Sequence, residues 1–111
     1  MPEITVHIEF PEPPPTVTRT ARIIVEDVST ADLRATRVSD RRITPADPEE
    51  LRSVTIDVPE PDLRASYSVR VHIDVEGSGA ISAGDFVSTQ SHPVLTRGHG
   101  TEVTVPLTRV G

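Results

Sequence analysis

The sequence predicts an all-β fold, an immunoglobulin-like antiparallel β-sandwich of about seven strands in one domain spanning residues 1–111. Three observations carry this. Apolar and polar residues alternate with a period of two through most of the chain, as in strands that bury one face. Proline, glycine and aspartate clusters break the alternation about every 8–12 residues. No amphipathic helix of useful length competes with the strands.

The first strand places Ile4, Val6, Ile8 and Phe10 on one face and Thr5, His7 and Glu9 on the other. The run Pro11-Glu12-Pro13-Pro14-Pro15 stops it, because proline has no amide hydrogen for a ladder. A second strand is expected over residues 18–28, with Ala21, Ile23, Val25 and Val28 as core side chains. Ser29 and Asp32 then have the spacing of a capping box. Residues 33–43 are weakly patterned and hold Arg34, Arg37, Arg41 and Arg42, the composition of an edge strand that resists unwanted pairing. Residues 51–58 form the next strand, with Val54, Ile56 and Val58 inward. The strongest strand covers residues 66–75. Tyr67, Val69, Val71, Ile73 and Val75 share one face, and Ser68, Arg70, His72 and Asp74 share the other. Tyr67, near the start of this strand, reads as a tyrosine corner whose hydroxyl returns to upstream backbone. Residues 86–92 read as a polar strand. Residues 101–110 form the last one, with Val103, Val105 and Leu107 inward. Pro106 points the other way and places this strand at an edge or bulge.

Composition excludes several functions. The formal net charge is −6 and all eleven basic residues are arginine, so there is no basic footprint for nucleic acid. The chain has no cysteine, which removes disulfides, thiolate metal sites and cysteine nucleophiles. With no lysine it has neither a Schiff-base nor a Walker A residue. No apolar run approaches the roughly 20 residues that span a bilayer. Read as a natural start, the N-terminus implies a cytoplasmic protein; the alternative is an exported one whose leader is absent from this sequence. There is no Gly-x-Ser-x-Gly elbow, and the acidic residues are spread along strand faces and turns, so no enzyme is expected.

Chemistry concentrates between residues 74 and 85. Counted from Asp74, the loop supplies oxygens with the spacing of a calcium loop: Asp74, Glu76, Ser78, the Ala80 carbonyl, Ser82 and Asp85, with Gly79 at the turn. Calcium takes 6–8 oxygens, which suits this set. The alternative is a glycine-rich hairpin loop facing water. His7, His72, His92 and His99 show no zinc spacing and read as surface residues, although His7 and His72 share outward faces.

Several segments together resemble the YbaY/YscW family. They are Ala21-Arg22-Ile23-Ile24-Val25-Glu26-Asp27-Val28-Ser29-Thr30-Ala31-Asp32, then Tyr67-Ser68-Val69-Arg70-Val71-His72-Ile73, then Gly84-Asp85-Phe86 through Pro93-Val94-Leu95-Thr96 and the final strand. Their order and spacing carry the likeness. The resemblance implies a β-sandwich, mostly found as bacterial lipoproteins, some of them pilotins or chaperones for type III secretion components. The expected function is non-catalytic, chaperone-like protein binding. The polar strand 86–92 would accept an added strand from a protein partner. The alternative is a self-assembling module stiffened by calcium, without a separate client.

Overall fold

Alternation becomes burial, strand by strand. The computed structural model describes residues 2–11, 20–29, 36–44, 51–75, 81, 83–90 and 92–111, and among these the chain is all-β. In β1 (Glu3–Glu9), Ile4, Val6 and Ile8 are buried while the residues between them are not. The remaining strands are β2 (Thr20–Asp27), β3 (Thr36–Ile43), β4 (Ser53–Asp57), β5 (Tyr67–Asp74), β6 (Phe86–Val87), β7 (Pro93–Val94), β8 (Glu102–Pro106) and β9 (Thr108–Arg109).

They form two sheets. The smaller runs β4-β1-β8 and the larger β3-β2-β5-β6-β9, with β7 also paired to β5. One hydrophobic cluster lies between them. Ile4, Val6, Ile56 and Val105 of the smaller sheet meet Ile23, Val25, Val69, Val71 and Ile73 of the larger. Burying each such side chain contributes about 1.5–3 kcal/mol, so this interior of valine and isoleucine holds the layers together without a tryptophan. Phe10 and Phe86 meet edge to face, their centroids 5.4 Å apart.

The edge assignment of β3 agrees with the sequence. Its register with β2 slips at Val25/Glu26, where Ser39 and Arg37 are the successive partners and Val38 is the extra residue. The tyrosine corner is also present, since Tyr67 Oη accepts the Asp62 amide at 2.9 Å.

Four details differ from the sequence reading. The pairing is not wholly antiparallel, because β1 and β8 run parallel. The last strand is two strands. Pro106 ends β8, the Leu107 amide closes on the Glu9 carbonyl at 2.8 Å, and β9 then joins the other sheet. Proline cannot extend the ladder, so the chain changes layers there. The stretch 86–92 is a strand only at Phe86–Val87, and pairing with β5 resumes at Pro93–Val94. Between these, Ser88 Oγ accepts the Val71 amide at 3.0 Å and Ser68 Oγ accepts the His92 amide at 3.0 Å, beside backbone bonds from the Ser88 amide to the Val71 carbonyl and from the Val69 amide to the His92 carbonyl, each at 3.0 Å. Val28 is exposed rather than core. Ser29 pairs with Asp27, whose Oδ1 accepts both its amide and its hydroxyl. Asp32 and the proline run after Pro11 lie outside the described residues.

Candidate functional site

The outward face of the larger sheet is built by register. On β5, Arg70, His72 and Asp74 alternate with core residues. On β2, Ile24 lies opposite Arg70 and Arg22 opposite His72. The bulge in β3 brings Arg37 and Asp40 to this same face, where both point at one cluster. Arg22 grips Asp40 through Nε at 2.9 Å and Nη2 at 2.6 Å. That fork holds the Asp40 carboxyl below the usual carboxylate range and raises Arg22 further. Arg37 reaches the same carboxylate at 3.4 Å, and Arg70 reaches Glu26 at 3.4 Å.

These groups rim a groove of about 250 Å³. Its apolar lining comes from Ile24, Val71, Val87 and Ile81. Ile24 is only 5% exposed although it points away from the core, while Ile81 is 62% exposed at the mouth. Three arginines against two acids give the rim a positive excess on a chain of net charge −6.

At one end of the groove a polar cluster is buried. Gly84 takes a φ of +93°, which glycine accepts without strain, and its amide bonds the Val110 carbonyl at 2.8 Å. This turn delivers Asp85 to the start of β6. There Asp85 Oδ1 accepts the Val75 amide at 3.0 Å and Oδ2 lies 2.8 Å from His72 Nε2. Register pairs Ile73 with Phe86, and one further step sets Asp74 opposite Asp85. The side chain of His72 is 13% exposed and that of Asp85 is fully buried; Asp74 is 5% exposed. One ligand atom from each of the three residues lies within 4.8 Å of the others.

The sequence named two of these three. Asp74 and Asp85, the first and last positions of the expected calcium loop, do come together. Glu76, Ser78, Ala80 and Ser82 lie outside the described residues. His72 was missed as a partner. Its signal was the i, i+2 spacing to Asp74 in the best strand, which puts both on one face. His7 and His72 do not meet, for they lie on different sheets. His7 instead lies 3.2 Å from Glu102 and 3.3 Å from Ser53 Oγ. His92 is buried, its Nε2 has no hydrogen-bond partner among the described residues, and desolvation lowers its pKa. The expected docking edge at 86–92 is already used at its start, because Phe86 and Val87 pair with β5 on one side and β9 on the other.

Residues 4–107 match the model of the type III secretion system lipoprotein chaperone family, YscW. The chain belongs to the YscW family. A solved structure described as an alternative pilotin from the type II secretion system of Vibrio cholerae superposes with a TM-score of 0.70. That alignment covers 97% of each chain at 17% identity, so it supports the shared fold. No curated protein sequence matches this chain. The match spans every strand from β1 to β8, so this YscW-family sandwich includes both the groove and the buried cluster. Among the described residues no helix is long and apolar enough to cross a membrane.

Proposed function

We propose that this YscW-family chain is a non-catalytic, chaperone-like module that binds a protein component of a secretion apparatus. The family match over residues 4–107 carries this reading. The groove supports it and supplies the docking surface in place of strand addition at 86–92. Its apolar lining suits one or two aliphatic side chains of a partner segment, and the excess of arginine on its rim suits acidic residues flanking them. Isothermal titration of the full chain against the secretion-apparatus proteins of its own organism tests the proposal. One of them is expected to bind with a Kd of about 1 μM or tighter. Arg70→Glu, which reverses a rim charge without touching the core, is expected to weaken that binding. Absence of heat with every component overturns the reading, and full binding by Arg70→Glu removes the groove from it.

The family's lipoprotein description favours export over the cytoplasmic residence expected from the sequence. Cell fractionation is expected to recover the protein with the envelope; recovery with the cytosol counts against export.

A further inference from the structure

We infer that His72, Asp74 and Asp85 form a site for a divalent transition metal of the zinc class. The sandwich brings one imidazole nitrogen and two carboxylate oxygens within 4.8 Å of one another, at a place where none of the three side chains is more than slightly exposed. Two ligands come from alternate positions of one central strand, and the third from the residue that leads into the adjacent strand β6.

The donor set points to the ion. Calcium takes 6–8 oxygens and does not favour imidazole, whereas zinc accepts nitrogen and carboxylate oxygen together at about 2.0–2.2 Å. His72 therefore shifts the choice away from the calcium suggested by loop spacing alone. The site opens toward the groove, because His72 lines both. The inference stands apart from the partner reading, since the ion binds the isolated chain.

Cobalt(II) substitution and zinc calorimetry on the metal-stripped full chain test it. Visible absorption of low-symmetry cobalt, displaced by one equivalent of zinc, is expected. So is a Tm that rises with zinc concentration. Outer-shell losses alone weaken metal sites about 10–100-fold. His72→Gln, a change at a partly exposed position, is accordingly expected to weaken zinc binding by at least that much while preserving the far-ultraviolet spectrum. Asp74→Asn is a second variant if His72→Gln does not fold. His7→Gln and His99→Gln should bind as the parent does. Failure to bind zinc overturns the inference. So does binding that His72→Gln and Asp74→Asn leave intact, and so does a response to millimolar calcium with none to zinc.

Discussion

The two sheets share an interior but present different outsides. On the smaller sheet the outward residues are what alternation promises. Thr5 bonds Thr55 across the strands at 3.0 Å, and His7 lies beside Glu102 and Ser53, all within reach of water. On the larger sheet the same alternation yields a second, partly buried layer. Ser68, Asp74 and Asp85 are buried there, and Ile24 is almost as enclosed as a core residue. The difference teaches that a polar-out pattern says which way a side chain points, not what it meets. Register across β2, β5 and β6 decides the latter.

Substitutions on the two faces are expected to sort accordingly. Asp85→Ala should have the largest effect. It leaves the partly buried Val75 amide without its 3.0 Å acceptor and His72 without its 2.8 Å partner. Each partner left unsatisfied costs about 1–3 kcal/mol, and two are left here. Urea denaturation reads this directly, and a loss below 1 kcal/mol would make the cluster no different from the solvent face of the other sheet. Ile24→Ala comes next, at about 2 kcal/mol or more, because it empties a nearly closed apolar position. The matching outward change on the smaller sheet, Thr5→Ala, should cost only about 0.2–1 kcal/mol. Equal losses at the two positions would erase the comparison.

This contrast also explains what was legible in the sequence. The inward faces of β1, β4 and β5 were readable residue by residue, since period-two alternation and burial are one fact seen twice. The arginine-rich edge β3 was readable because exposed edges select charge. Pro106 announced an irregularity but not a change of sheet, for the loss of one amide says nothing about where the chain goes next. Val28 was misread because its apolar side chain was counted as core although it lies one residue past the end of β2 and out of phase with Ala21, Ile23 and Val25. The buried cluster was half readable. Asp74 and Asp85 drew notice through loop spacing. His72 did not, because its partner is thirteen residues away and meets it only through the β5–β6 pairing. The groove was not readable at all, since it needs Arg22, Asp40 and Arg70 in three-strand register and a bulge that turns Arg37 to the same face.

A third prediction concerns the segment that covers the edge of β5. Burial lowers the pKa of His92, so the folded protein keeps it neutral where the unfolded chain takes up a proton. Below an unfolded value of about 6.5 the unfolded chain binds more protons. Stability should therefore fall as pH drops below that point and level off once His92 protonates in the fold. One proton limits the slope to about 1.4 kcal/mol per pH unit. His92→Gln should remove this component, as judged by the difference between the urea-derived pH–stability curves of the two proteins. Coincident slopes would show that His92 is not desolvated.

The smallest effect is expected on the smaller sheet. His7 Nε2 and Glu102 Oε1 stand 3.2 Å apart, but their side chains are 43% and 73% exposed. Water screens such a pair, and holding both side chains still costs entropy that offsets much of the attraction. Glu102→Gln keeps the shape and an acceptor oxygen while removing the charge, so the His7 contact survives as a neutral hydrogen bond. The expected change in unfolding free energy is under about 0.5 kcal/mol, and it should shrink further as salt is added. A loss comparable to that of Asp85→Ala would mean that the outer surface of β1 is covered in solution as the outer surface of β5 is. The asymmetry between the two sheets would then belong to the isolated chain alone.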